Sequence, residues 1–234
     1  MIEIRRAEDR GTGRFDWLDS RHSFSFGQYH DPRHMGFGPL RVINEDRVSP
    51  GAGFDTHGHR DMEILSYVLE GALEHKDSIG TGSVIRPGEV QLMSAGSGIR
   101  HSEFNPSEQD PVHFLQIWLI PDRAGLPPRY AQKAMPDGAR RGRFHAVAAP
   151  EAEAGDTALP LRQDAWLYAA LLDGAERAAH RLAPGRRAWL QVARGRLSVN
   201  GQAVRAGDGI ALAELPEVVA EQAEQAEILL FDLP

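Results

Sequence analysis

Residues 66–96 read SYVLEGALEHKDSIGTGSVIRPGEVQLMSAG, and residues 190–214 read LQVARGRLSVNGQAVRAGDGIALAE. Both follow one plan: an apolar run ending in a glycine turn (Glu70-Gly71; Arg194-Gly195), an outgoing strand, a tip loop, then a short turn into another strand (Arg86-Pro87-Gly88-Glu89; Arg205-Ala206-Gly207-Asp208). Apolar runs of this length, bounded by Gly, Pro, Asp and Asn, are strands. The copies stand about 120 residues apart, too far for a solenoid and suited to two fused β-domains of similar build.

The rest of the chain agrees with an all-β reading. Of 234 residues, 41% are hydrophobic and 25% charged, which excludes a disordered or collagenous protein. Twenty-four glycines and 15 prolines supply turns throughout. The helix-like pieces are weak: 151–155 is too short, and 217–226 is alanine and glutamate without an apolar stripe. The stretch PDRAGLPPRYAQKAMPDGARRG, 121–142, reads as the connection, so the expected domains are 1–140 and 141–234.

A net charge of -7 argues against a phosphate backbone as direct partner, and the basic runs Arg5-Arg6 and Arg140-Arg141 with Arg143 read as solvated surface. No apolar stretch reaches the roughly 18 residues of a membrane span, and residues 1–13 lack a signal-type apolar core. The expectation is a soluble, cytoplasmic protein. With no cysteine, there is no disulfide or thiol nucleophile, and any metal must be held by nitrogen and oxygen.

Ten histidines are available for that role. His57 and His59 precede the first apolar run, and side chains two apart on a strand share a face, about 6.6 Å apart along it. His101 and Glu103 repeat the spacing beyond the Gly96-Ser97-Gly98 turn. Both pairs border the same hairpin unit, on segments that antiparallel pairing would bring together, giving three imidazoles and one carboxylate. Glu63 competes with Glu103 for the fourth place. It shares the parity of His57 and His59 but lies about 13 Å of straight strand beyond His59, so Glu103 is the expected ligand and Glu63 an outer carboxylate.

Copy two acts as a control. Positions matching the four ligands carry Arg181, Ala183, Ala220 and Gln222, so the second domain is expected to be metal-free. His75-Lys76-Asp77 reads as surface hairpin, and His22, His30 and His34 as surface. Phe24, Phe26, Phe37 and Met93 are candidate pocket walls, with ordinary core packing the alternative for each.

Gly51 to Glu63 matches the first cupin motif, Gly-x5-His-x-His-x3-Glu. Gly88 to Asn105 matches the second with Ser94 in place of proline and two extra residues before His101. More closely, DSRHSFSF (19–26), MGFGPLRVI (35–43), HGHRDME (57–63) and SGIRHSE (97–103) resemble the pirin family, in its bacterial pirin-like quercetin 2,3-dioxygenase branch. The resemblance is specific over residues 1 to about 135 and holds in outline beyond.

The resemblance implies a bicupin, two β-barrel or jelly-roll domains packed together, with one N-terminal metal held by His57, His59, His101 and Glu103. It also implies ring opening of flavonols such as quercetin by O2, or, as the alternative, an iron-dependent redox-sensing regulator that binds a transcription-related protein partner. The expected ion is Fe(II), with Mn, Ni, Co or Cu as alternatives. Four protein ligands leave up to two octahedral positions open for a substrate oxygen and dioxygen. In that chemistry Glu103 is the expected catalytic proton acceptor, with Glu63 nearby.

Overall fold

The computed structural model describes residues 1–234 and consists almost entirely of strands, its one α-helix being the four-residue Asp137–Arg140. The chain divides into two compact units, Gly11–Ala134 and a second made of Met1–Arg10 with Met135–Pro234. No helix is long and apolar enough to cross a membrane.

The first unit is a pair of antiparallel sheets. One has seven strands in the order Arg129–Ala134, Glu89–Ser94, Glu63–Glu70, Val112–Leu119, Leu40–Val48, Leu18–His22 and Gly11–Phe15. The other has four, Gly53–His59, Ile99–Phe104, Leu73–Asp77 and Gly82–Ile85. Residues alternate between faces, and in Glu63–Glu70 the even positions Ile64 and Val68 pack against the smaller sheet. Val68 joins Leu73, Ile85 and Phe114 in one buried cluster, while Ile64 joins Met93 and Ile99 in another.

Between these clusters the register builds a polar row. Gln91 pairs with Ser66, Ser66 with Gln116, Gln116 with Asn44, and Asn44 with His22, across five neighbouring strands. Directly paired positions share a face, so the row looks into the space between the sheets. The smaller sheet answers with His57 opposite His101, His101 opposite Asp77, and Glu103 opposite His75. All the row residues are buried, at 8% exposure or less. The site is therefore a polar layer held between two apolar plugs.

The second unit is built around two long strands, Arg187–Val199 and Glu217–Leu233, in a nine-stranded sheet with bulges along their shared ladder. Its interior is filled by Leu190, Val192, Val199, Ile210, Ile228 and Leu230. Ile2–Arg5 adds to its edge on Gly209–Ala213, and Asp208 accepts hydrogen bonds from Arg6 Nη1 and the Ala7 amide. The first ten residues thus differ from the expected 1–140 grouping, because this strand finds its partner at the far end of the chain.

The stretch expected to be a plain connection contains the strand Arg129–Ala134, which pairs with Glu89–Ser94. Arg140, expected on the surface, is 4% exposed and bonded to Asp137 and Glu227.

Gly53 locks the smaller sheet at the site. A Cβ there would meet the Glu103 carbonyl oxygen at 2.2 Å and Phe104 Cα at 2.6 Å, both backbone atoms that cannot swing aside. Gly82, in the same sheet, has nothing within 4 Å of its would-be Cβ. Gly53→Ala is expected to cost about 1–3 kcal/mol as overpacking, seen as a fall in Tm of about 3–10 °C, with Gly82→Ala far closer to wild type.

Candidate metal centre

Strand alternation and the pairing of Gly53–His59 with Ile99–Phe104 bring three imidazoles together. Their ligating nitrogens all lie within 4.8 Å of one another. His57 is the direct register partner of His101, and the ladder carries a bulge between the His101 and Glu103 pairings.

The hydrogen bonds fix what each nitrogen can do. His57 Nδ1 lies 2.8 Å from the Asp55 carbonyl, which can only accept, so Nδ1 carries the proton and Nε2 a bare lone pair. That Nε2 faces His101 Nε2 at 3.1 Å. Nitrogens bound to one ion at about 2.1 Å and at right angles sit about 3 Å apart, so the spacing fits a shared cation. His59 Nε2 is buried without a hydrogen-bond partner, a third donor atom for the same point.

Burial holds His59 down to about 4, helped by neighbouring His101 and His57, and holds His101 down to about 3, helped by His57 and His75. Both imidazoles are therefore neutral near pH 7, the form that binds metal. The geometry is that of a three-histidine site for a metal ion.

Glu103 is 1% exposed, with Oε2 4.0 Å from His101 Nε2. Gln116 Nε2 donates to both of its oxygens at 3.0 Å, and Ser66 Oγ donates to Oε1 at 3.2 Å, leaving Oε2 the less engaged. Glu63 lies on the face opposite Ser66 and accepts from Ser94 Oγ at 2.9 Å. Glu103 Oε2 thus lies beside His101, and Glu63 lies beside Ser94.

Chain-length comparisons agree with this picture. The family model described as Pirin matches residues 4–119, and that of the quercetinase C-terminal cupin domain matches 146–233. The chain is 45% identical over its whole length, and 99% of the relative's, to "Quercetin 2,3-dioxygenase" of Escherichia coli K12. It is 38% identical to the "Pirin-like protein" of Caulobacter vibrioides, over 99% of each chain. The chain belongs to the pirin family. Among solved structures, the bacterial pirin YhhW of E. coli in complex with nickel(II) superposes with a TM-score of 0.94 at 45% identity, over 100% of this chain and 99% of that one. The present pirin-family protein is thus a bicupin.

Two sequence expectations need correction. His22 is 6% exposed, with Nε2 2.8 Å from Ser20 Oγ, and belongs to the interior row rather than the surface. His75 and Asp77 have fully buried side chains, bonded to each other at 2.9 Å. His75-Lys-Asp77 has the same two-apart spacing as the ligand pairs. What the sequence lacked was the direction of that face, which the sheet pairing sets.

Around the histidines, Trp118 meets the His59 ring at 4.9 Å and the Phe26 ring at 5.4 Å, and Phe26 meets His22 at 5.3 Å. Phe26 thus joins an aromatic wall, and Met93 lies in the apolar plug with Ile64 and Ile99.

Asp46, on the same inner face, is pushed up to about 7 by burial and by the nearby Glu103 and Glu45, against a hydrogen bond from Ser20. A raised folded-state pKa means the stability it lends is complete below about pH 4 and lost as pH rises to about 7. Asp46→Asn is expected to flatten that loss. Between about pH 5 and about pH 8 the wild-type Tm falls by several degrees more than the variant's, measured by paired thermal melts.

The pirin-family metal site also predicts metal content. Replacing two of the three imidazoles, His57→Ala with His59→Ala, lowers bound transition metal in purified protein by more than about tenfold, measured by elemental analysis.

Proposed function

We propose that this protein is a metal-dependent dioxygenase of the quercetin 2,3-dioxygenase type, which opens the heterocyclic ring of a flavonol with O2. The observation that carries the reading is the convergence of three imidazoles, with His57 Nε2 and His101 Nε2 at 3.1 Å and all three sets of ligating nitrogens within 4.8 Å, in a chain 45% identical from end to end to a protein of that name. His57, His59 and His101 hold the ion, with Glu103 as fourth ligand through Oε2. Fe(II) is the proposed occupant, with Mn, Ni, Co or Cu as competitors on the same nitrogen-rich donor set.

When bound, the ion supplies Lewis acidity that acidifies the flavonol hydroxyl, and open coordination positions. The chain supplies the rest. The Glu103 carboxylate receives the hydroxyl proton, and Gln116 and Ser66 hold it in place beside His101. Trp118 and Phe26 give the planar substrate aromatic faces to stack on, and with the plug of Ile64, Met93 and Ile99 they keep bulk water from the reacting ring.

The test is anaerobic loading with Fe(II), followed by quercetin and air, watched as loss of flavonol absorbance. Turnover is expected, and Glu103→Gln is expected to lower kcat by about 10²–10⁴ through loss of the proton acceptor. No turnover with Fe, Mn, Ni, Co or Cu would overturn the reading in favour of a redox-responsive binding protein.

A further inference from the structure

Behind His101, on the side away from the other two imidazoles, lies a buried chain of hydrogen bonds. His101 Nδ1 is 3.4 Å from His75 Nδ1, and His75 Nε2 is 2.9 Å from Asp77 Oδ2. The side chains of His75 and Asp77 are both 0% exposed. Asp77 Oδ1 accepts from the amides of Ile79 at 3.0 Å and Thr81 at 2.9 Å, so the carboxylate is pinned from its far side. His75 is held in turn by Tyr130, whose ring lies 4.9 Å away.

We propose that His75 and Asp77 are positioning residues that set the tautomer of His101 and so aim its Nε2 lone pair at the metal. Each link leaves one choice. Asp77 Oδ1 takes two backbone N–H donors and Oδ2 faces His75 Nε2, so the carboxylate acts as an acceptor at both oxygens. His75 therefore carries its proton on Nε2, and its Nδ1 is an acceptor. That one lone pair faces two groups, His101 Nδ1 at 3.4 Å and the Gln91 amide nitrogen at 3.3 Å, which share it. His101 then donates from Nδ1 and leaves Nε2 bare. Histidine ligands are commonly steadied by an acceptor on their second nitrogen. Here the acceptor is another histidine, with the carboxylate one ring further out.

The inference rests on the reading of the triad as a metal site, and Asp77→Asn tests it separately. With Oδ1 pinned by two amide donors, the new NH2 takes the place of Oδ2 and donates to His75 Nε2. The whole chain then reverses, with the Gln91 amide turning its unpartnered Oε1 toward the new His75 Nδ1–H, and the proton moves to His101 Nε2, where the ion must bind.

In metal-free wild-type protein labelled with 15N at histidine, NMR is expected to show His101 protonated at Nδ1 and His75 at Nε2. In Asp77→Asn both are expected to exchange, and nickel(II) affinity by competition titration to fall about 10- to 100-fold, with the circular dichroism of the fold retained. Opposite tautomers in the wild type would overturn the proposal without any variant, even if Asp77→Asn fails to fold. A folded Asp77→Asn with unchanged tautomers, or with affinity within about twofold, would overturn it as well. Wild-type protein that binds no nickel would instead bring down the metal-site reading itself, a result distinguishable because the comparison with the variant then has no starting affinity.

Discussion

Two imidazole nitrogens held 3.1 Å apart are spaced to share one cation, and the first unit is arranged to impose that approach. His57 cannot turn its proton inward while Nδ1 is engaged by the Asp55 carbonyl. His101 is clamped in a layer where it is 1% exposed. The cost of burying these polar rings is offset by the apolar clusters on either side, built around Val68 and Phe114 at one end and Ile64 and Met93 at the other.

A polar layer inside a β-sandwich is stable only when its members satisfy one another, because a buried unpaired polar group costs about 1–3 kcal/mol. Much of the layer obeys: Ser66 and Gln116 serve Glu103, and Gln91 and Asp77 serve His75. The exceptions are informative. Asn44 Oδ1, Asp46 Oδ1, Gln91 Oε1 and His59 Nε2 are buried without partners. All four belong to strands that bound the inter-sheet space.

The two units show how one plan yields different chemistry. Where the first has Ser, Gln, His and Glu on inward positions, the second has Leu190, Val192, Ile228 and Leu230. Its His180 pairs with Asp232 at 2.7 Å, and Asp232 is also bound by Arg186, a self-contained ion cluster rather than an open set of lone pairs.

The repeated hairpin plan, the absence of cysteine and the two-apart pairs His57/His59 and His101/Glu103 are local features, and strand periodicity alone turns them into a twofold β-architecture with convergent imidazoles. Register was not legible, because it depends on which strand lies beside which. Only sheet pairing placed Gln91, Ser66 and Gln116, single polar residues in apolar runs, in one row behind Glu103. Only pairing turned His75 and Asp77 inward, set Glu63 beside Ser94, and carried residues 2–5 to an edge some 200 positions away. Spacing fixes which side chains share a face, whereas the partner strand decides what that face looks at.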